Sequence, residues 1–380
     1  MAAVPRRLRS VGLNALFFDP GVSGGSETYL RELVPALAAA RPDVELHVVS
    51  GPRGTAALRA AGWEDFVRLV QLPANDRERV RKTVAEQLVL PRLARRRGWD
   101  LLHSLSNLAP IRPPHPSVLT LHDVIFFTAP TFGWVSNLGM RQVVARAAPR
   151  ADAVIALTHA ARAEIAEVLG LDPDRIAVVP HGVGRTGAVS PASNAAARHR
   201  LPAGTIVLCV AAVRRQKNQA LLASALIHLP ADVSVVCVGQ LEGYEREVEA
   251  VAARLGVADR LRMLGAVSDQ DLEAIWDRAG CAAFPTRAEG FGLPVVEAMR
   301  RGVPVACSDI PVLREVAGGA ARYFDPDDPR GAAEAITGAL RDPGLTDAGR
   351  ARARRFSWEA TAEATFEVYE RAAAGVGSAG

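Results

Sequence analysis

The sequence is poor in cysteine, and its few cysteines form no ligand pattern. The four, at positions 209, 237, 281 and 307, lie in or beside apolar runs, and none belongs to a Cys-x-x-Cys pair. This placement is typical of buried thiols in a reducing compartment, and it lacks the ligand spacing of a structural zinc site.

The sequence also lacks a long apolar segment. The uncharged stretch at 124–140 contains Pro130 and Gly133 and is shorter than the roughly 20 residues that a membrane span requires. The apolar run after the basic amino terminus ends at Asp19 with no small-residue cleavage site, so a signal peptide is not expected. These features predict a cytoplasmic protein.

Charge of one sign is not in large excess. The net charge is +4 and the isoelectric point about 9.1. This balance is too weak to predict nucleic-acid binding, although it is compatible with anionic ligands. A chain of 380 residues is too long for one hydrophobic core, so two domains are expected.

Short apolar runs rich in β-branched residues alternate with longer amphipathic segments. The runs predict strands at 11–18, 44–49, 66–71, 100–103, 117–121, 152–156, 176–179, 205–213, 233–239, 261–265, 281–284, 303–307 and 321–324. Helical patterns occur at 26–40, 76–97, 137–149, 159–169, 217–228, 243–255, 269–278 and 294–301. This alternation predicts an α/β protein whose parallel sheets are covered on both faces.

A segment rich in Gly, Ser, Ala and Pro, residues 183–203, interrupts the alternation and predicts a linker. The chain is therefore expected to form two doubly wound, Rossmann-like domains, at 1–182 and 204–355. The last helical pattern, 357–373, carries an apolar stripe that must be buried against another element.

Two glutamates, Glu289 and Glu297, flank the sequence Gly-Phe-Gly-Leu-Pro at the carboxyl end of a predicted strand. Ligands of parallel α/β sheets bind at that end, and backbone amides at 290–295 with the start of a helix predict an anion site. One carboxylate on each side suits a ligand with sugars on both sides of a diphosphate. The alternative is that Glu297 only complements the helix dipole and Glu289 is a solvated loop residue, and spacing alone does not decide between them.

The segment EGFGLPVVEAMRRGVPVACSD closely resembles the E-x7-E signature of family 4 retaining glycosyltransferases (glycosyl transferases group 1), which have the GT-B fold. Further segments that resemble this family lie at 24–33, 120–127, 178–183, 214–218 and 356–370. The resemblance implies two Rossmann-like domains that face a central cleft. The first would bind the acceptor and the second the nucleotide sugar, and helix 357–373 would pack back on the first.

Roles for individual residues follow from the resemblance. It implies that Glu289 contacts the donor sugar, that Glu297 holds the ribose, and that Lys217 stabilises the leaving diphosphate. Many relatives carry an arginine five or six residues before this lysine, where this chain has Ala211 and Ala212, so one diphosphate contact is either missing or supplied by Arg214 or Arg215. The remaining donor-binding residues predicted from the motifs are Gly24, Gly25, Gly290, Phe291, Gly292 and Leu293.

His122 ends a predicted strand and is expected to contact the donor sugar; the alternative for a lone histidine there is a structural role. The resemblance implies front-face attack, in which the departing phosphate takes the acceptor proton and Glu289 is not a nucleophile. Lysine and a helix amino terminus can together replace a metal ion, so no metal or other cofactor is expected.

These features predict a retaining transferase that moves a hexosyl group, mannosyl or deoxyhexosyl by analogy, from a nucleoside diphosphate sugar to a saccharide or lipid-linked hydroxyl acceptor. Polysaccharide or glycoconjugate biosynthesis at the cell surface would be its role. Alternatives are a non-hydrolysing nucleotide-sugar epimerase and a non-catalytic nucleotide-sugar-binding subunit. The basic segment 77–97 and the aromatic residues of 126–134 predict either peripheral contact with the inner membrane face or an ordinary solvated helix beside a packed cluster.

Overall fold

The computed structural model describes residues 8–22, 24–73, 79–114, 116–128, 134–184, 191 and 194–376. The chain divides into two compact units. The first comprises Met1–Gly182 and Ser357–Gly380, and the second comprises Val183–Phe356.

The first unit is built on a seven-stranded parallel sheet with the order β3-β2-β1-β4-β5-β6-β7. Its strands are β1 Ser10–Asn14, β2 Glu45–Ser50, β3 Arg68–Gln71, β4 Leu101–Ser104, β5 Ser117–Thr120, β6 Ala153–Ala156 and β7 Ile176–Val178. The chain runs outward from β1 to β3 and then returns to β4 on the other side of β1. The position between β1 and β4 is therefore the switch point of this sheet.

Helices cover both faces of the first sheet. They are α1 Gly25–Ala40, α2 Pro52–Ala60, α3 Arg79–Val84, α4 Leu90–Arg97, α5 Ile125–Thr128, α6 Trp134–Ala147 and α7 His159–Leu169. A π-helical segment, Ala85–Val89, joins α3 to α4, so the predicted helix 76–97 is irregular in its described part. The carboxyl-terminal helix, α16 Trp358–Val376, buries Trp358, Phe366 and Tyr369 in the same core as residues of α1.

The second unit is built on a six-stranded parallel sheet with the order β10-β9-β8-β11-β12-β13. Its strands are β8 Thr205–Val210, β9 Val233–Val238, β10 Leu261–Met263, β11 Ala279–Phe284, β12 Val305–Ser308 and β13 Arg322–Phe324. Its helices are α8 Ala195–Arg198, α9 Gln219–Ala225, α10 Glu245–Arg254, α11 Asp269–Trp276, α12 Leu293–Arg301, α13 Pro311–Ala317, α14 Pro329–Arg341 and α15 Gly344–Ala353. Here the switch point lies between β8 and β11.

The structure confirms the predicted fold class, since both sheets are parallel and each predicted strand overlaps an observed one. The predicted strand 11–18 is too long, because β1 ends at Asn14 and a turn follows in which the Phe18 amide donates to the Ala15 carbonyl. Within the described part of the chain, no helix has the length and apolar character of a membrane span.

Candidate active site

The switch point of the second sheet holds the two charged residues that the motifs assigned to the donor. Lys217 lies in a 3-10 turn, Arg215–Lys217, after β8, and Glu289 follows β11. The Lys217 Nζ atom lies 2.5 Å from Glu289 Oε1, and the two side chains are 21% and 17% exposed. Two residues predicted separately thus form one partly buried ion pair.

Polar side chains beside Lys217 hold its turn against the Glu289 loop. The Asn218 amide donates to the carbonyl oxygens of Pro285 at 3.1 Å and Pro326 at 2.8 Å. The Gln216 amide donates to the Ala288 carbonyl at 2.7 Å. The ion pair is therefore positioned by a hydrogen-bonded frame. The roles of Gln216 and Asn218 were not predicted, although both are polar residues that flank a lysine between a predicted strand and a predicted helix.

The loop before α12 has the backbone geometry of a close-approach site. Gly292 has a φ of 89°, which favours glycine, and a Cβ atom there would lie 2.5 Å from the Leu313 side chain, which would have to shift. Pro294 lies in the first turn of α12 and Gly302 caps its end, which agrees with the predicted helix at 294–301. The expectation of free amides throughout 290–295 is wrong, because Pro294 has no N–H and the Val295 amide donates to the Gly292 carbonyl at 2.9 Å.

A small pocket opens among these elements of the second unit. It is lined by residues at the ends of β8 and β11 and at the start of α12, among them Ala211, Lys217, Pro285, Glu289, Gly292 and Pro294. It therefore combines a lysine side chain with the amino-terminal end of a nine-residue helix. Both features favour an anion, and the Glu289 carboxylate paired with Lys217 opposes it.

The other residues of the signature have distinct environments. Glu297 is half-buried on α12, and Gly290 and Leu293 are also half-buried. The Phe291 side chain is buried and meets the Phe356 ring edge-on at 5.5 Å. Phe291 therefore anchors the loop through its side chain.

Arg214 and Arg215 lie near the lysine turn but are engaged in ion pairs. Arg214 contacts Glu242 at 2.5 Å, and Arg215 pairs with Glu247 and lies over the Tyr244 ring. A donor-binding role for either arginine stays a prediction, and it would require release from these carboxylates.

In the first unit, His122 follows β5 and is held in one orientation. Its Nε2 atom donates to the Leu105 carbonyl at 2.9 Å, and its backbone amide donates to the Asn107 side chain at 2.7 Å. Burial lowers the pKa of His122, so the ring is neutral at pH 7. With the proton on Nε2, the Nδ1 atom is left as an acceptor for a hydroxyl group.

The predicted glycine loop also lies in the first unit, at the start of α1. Gly24 is the N-cap residue with a φ of 53°, and Gly25 is the first residue of the helix. A Cβ atom on either residue would meet nothing within 4 Å, so only Gly24 has a backbone reason to be glycine. Contact of this loop with a ligand stays a prediction.

The structure places one buried acid that the sequence analysis did not single out. Glu86, in the π-helical segment, is 5% exposed, and its Oε1 atom accepts a hydrogen bond of 2.7 Å from the Asn14 amide. Asn14 also donates to the Ser104 hydroxyl, at 3.2 Å. Burial raises the pKa of Glu86 from 4.5 to about 7, and the Asn14 hydrogen bond opposes that rise. In the sequence, the only indication of this buried acid is that Glu86 lies among the apolar residues of 84–90.

The raised pKa of Glu86 predicts a pH-dependent stability. The unfolded chain ionises Glu86 near its ordinary pKa of 4.5 but the folded chain only near 7, so its contribution is present below 4.5 and lost as pH rises through 7. Between pH 4.5 and pH 8, the wild type should lose about 3 kcal/mol of unfolding free energy that a Glu86→Gln variant retains. Urea unfolding of both proteins across this range measures the difference. Parallel pH profiles would contradict the assignment.

The structure does not support the membrane-contact interpretation for Phe126 and Phe127, the aromatic residues that follow β5. Phe126 is buried, and Phe127 packs against it with ring centroids 4.9 Å apart, both in the short helix α5. These two rings belong to the core of the first unit, which confirms the packed alternative for them. Phe132 and the Trp134 side chain lie outside the described residues.

Comparison with solved structures identifies the fold class of this chain. Anabaena HepE, solved in complex with UDP-glucose, matches it with a TM-score of 0.73 over 95% of this chain and 98% of that chain, at 20% identity. The chain therefore has the GT-B fold that the motifs predicted.

Sequence relatives then give the family. Residues 23–185 match Glycosyltransferase Family 4, and residues 195–356 match Glycosyl transferases group 1. The D-inositol 3-phosphate glycosyltransferase of Xylanimonas cellulosilytica is 31% identical and covers 93% of each chain. The O-antigen chain mannosyltransferase B of Escherichia coli is 28% identical over 67% of this chain and 70% of its own. The chain belongs to the family 4 glycosyltransferases, as predicted from its motifs.

Proposed function

We propose that this glycosyltransferase moves a hexosyl group, mannosyl as the first choice, from a nucleoside diphosphate sugar to a hydroxyl acceptor with retention of configuration. The observation that carries the proposal is the Lys217–Glu289 pair beside the start of α12. Support comes from relatives named as mannosyl- and inositol-phosphate glycosyltransferases and from the UDP-glucose bound to Anabaena HepE.

The second unit is the proposed donor-binding part. The diphosphate would lie in the pocket before α12, where Lys217 neutralises it as a compact charge and the helix dipole favours it. Glu297 would accept hydrogen bonds from the ribose hydroxyls, and Glu289 would contact the transferred sugar. Because a lysine and a helix end supply this positive potential, we propose that no metal ion is required.

The first unit is the proposed acceptor-binding part. His122 would accept a hydrogen bond at Nδ1 from a hydroxyl group of the donor sugar, since its Nε2 proton is already donated to Leu105. The bond from the anomeric carbon to phosphate breaks as the bond to the acceptor oxygen forms on the same face, and the departing phosphate takes the hydroxyl proton. The side chains then act by positioning and by electrostatic stabilisation.

The nature of the acceptor defines a further part of the proposal. A saccharide or lipid-linked acceptor would place the enzyme in cell-surface polysaccharide or glycoconjugate synthesis. Val84, Leu88 and Val89 are exposed apolar residues in the segment that also exposes the Arg95–Arg97 cluster, which supports contact with an anionic membrane surface. Sedimentation with vesicles that contain phosphatidylglycerol tests this contact.

A panel of nucleotide sugars tests the proposed activity. Thermal shift would identify the donor, and slow hydrolysis or transfer to added mannosides would show the reaction. Incubation with the donor alone separates the alternatives, because an epimerase would interconvert nucleotide sugars without an acceptor. A donor that binds with no hydrolysis and no transfer would favour a non-catalytic binding subunit.

Replacing Glu297 with alanine is expected to weaken nucleotide binding roughly 10-fold to 100-fold, because one or two hydrogen bonds to a carboxylate are lost. Calorimetric titration with the nucleoside diphosphate measures the dissociation constant. Glu334→Ala is the matched control, since Glu334 is an exposed glutamate of the same unit that pairs with Arg330. An unchanged dissociation constant would refute the ribose role.

A further inference from the structure

The switch point of the first sheet holds a polar cluster that the proposed chemistry does not yet use. Asn14 ends β1 and Ser104 ends β4, and both are almost fully buried. The Asn14 amide donates to Glu86 Oε1 and to the Ser104 hydroxyl, while its own oxygen accepts the Leu16 amide at 3.2 Å. The cluster therefore occupies the position at which an open parallel sheet binds its ligand.

The backbone around Glu86 has an uncommon conformation and is held by hydrogen bonds. A π-helical segment such as Ala85–Val89 is rare and occurs frequently at functional sites. Gln87, the next residue, donates to the Ala109 carbonyl at 2.9 Å and accepts the Ile111 amide at 2.8 Å. The segment is thereby tied to the loop after β4, and the Glu86 carboxyl group has a defined position.

Burial of the Glu86 carboxyl group at this position reduces the stability of the folded protein. Its partner in the described part of the chain is a neutral amide, and burial alone accounts for its raised pKa, with no cation contributing. Ala85 and Leu90, on either side, belong to an apolar cluster with Leu16 and Leu102. A glutamine or an apolar side chain would fill the site at a lower cost to folding, and buried groups that reduce stability are typical of functional sites.

Each unit has a carboxyl group near its switch point. In the second unit a carboxylate, Glu289, lies beside the proposed donor pocket between β8 and β11. In the first unit a carboxyl group, Glu86, contacts Asn14 at the end of β1, and Asn14 contacts Ser104 at the end of β4. A second carboxyl group at the ligand edge of the proposed acceptor unit therefore has a position suited to recognition of the acceptor.

We propose that Glu86, oriented by Asn14 and Ser104, binds the acceptor by accepting hydrogen bonds from the hydroxyl groups of a sugar or cyclitol. The proposal rests on the proposed function, and it adds an acceptor-binding residue to it. Above its raised pKa of about 7, Glu86 is a carboxylate, which only accepts hydrogen bonds, whereas sugar hydroxyls donate them, and such charge-assisted bonds are strong.

A comparison of Glu86→Gln with the wild type tests the proposal by kinetics. GDP-mannose and UDP-glucose serve as donors, with methyl α-mannoside and myo-inositol as acceptor probes. We expect the acceptor KM of the variant to rise roughly 10-fold to 100-fold, while the donor KM and the rate of donor hydrolysis by water stay unchanged. Glu64→Gln, which changes an exposed glutamate of the same unit paired with Arg59, is the matched control.

Two kinetic outcomes would overturn the proposal. One is an acceptor KM that is equal in Glu86→Gln and the wild type. The other is an equal loss of donor and acceptor affinity, which would indicate a purely structural role.

A spectroscopic readout separates this proposal from the proposed function. In protein labelled with ¹³C at glutamate carboxyl carbons, the Glu86 resonance is the one missing from Glu86→Gln, and acceptor probes should shift it while the nucleoside diphosphate alone should not. If no nucleotide sugar binds or reacts but the resonance still shifts, the proposed function fails and the Glu86 site stands. A resonance that no probe moves would overturn the site even in an active enzyme.

Discussion

Replacing Lys217 with methionine is expected to lower the turnover number by about 10²-fold to 10³-fold, the usual effect of removing one group that stabilises developing charge. Among the described residues that line the pocket before α12, Lys217 is the one with a positive charge. The hydrogen bonds of Gln216 and Asn218 hold it at the carboxyl end of β8. Methionine keeps the length of the side chain and removes the charge. Release of nucleoside diphosphate, followed in single-turnover experiments, measures the effect.

The control for Lys217 is another cation of the same unit. Arg246→Met removes one positive charge from the exposed face of α10, so it tests whether overall charge accounts for the loss. Turnover of Lys217→Met within about threefold of the wild type would contradict the leaving-group role.

Replacing Glu289 with glutamine is expected to lower turnover by about 10²-fold with little change in the affinity for the nucleoside diphosphate. Glutamine preserves the shape of the side chain but cannot form the 2.5 Å ion pair with Lys217, and it offers a weaker acceptor to the transferred sugar. The turnover number and the dissociation constant, measured on the same preparation, separate these two effects.

The Glu289 experiment has its own control and contrary outcome. Glu334→Gln is the matched control, because Glu334 is exposed on α14 and far along the chain from the signature. Weaker nucleotide binding with normal turnover would reverse the roles assigned to Glu289 and Glu297. The double variant with Lys217→Met should lose less than the product of the two single effects, because the two residues share one interaction.

The strands were predicted well because parallel strands that are buried on both faces appear in the sequence as continuous apolar runs. Apolar runs such as 205–210 and 233–238 are bounded by polar or glycine-rich turns, and both are strands. The limits of α12 were also predictable, since Pro294 and Gly302 have specific conformational preferences. Helices α14 and α15 were not predicted, because small residues, alanine and glycine, form most of their buried faces.

The candidate site was predicted only in part. Lys217 and Glu289 were assigned from their motifs, but their contact joins residues 72 positions apart in the chain and depends on the strand order of the second sheet. The Glu86 cluster joins Asn14 and Ser104, which are also distant in the chain. Such contacts cannot be derived from local periodicity, and a single buried acid in a basic segment reads as one more surface charge.

The π-helical segment makes the number of residues between α3 and α4 important. A π turn takes up an extra residue relative to an α turn, so a chain one residue shorter here would continue as regular helix. Because the wider turn takes up the extra residue, α3 and α4 would keep nearly the same relative rotation after such a deletion, and only the side chains within 85–89 would change direction. Among aligned homologues, a one-residue gap in this segment would therefore mark the chains in which an acid at this position points elsewhere.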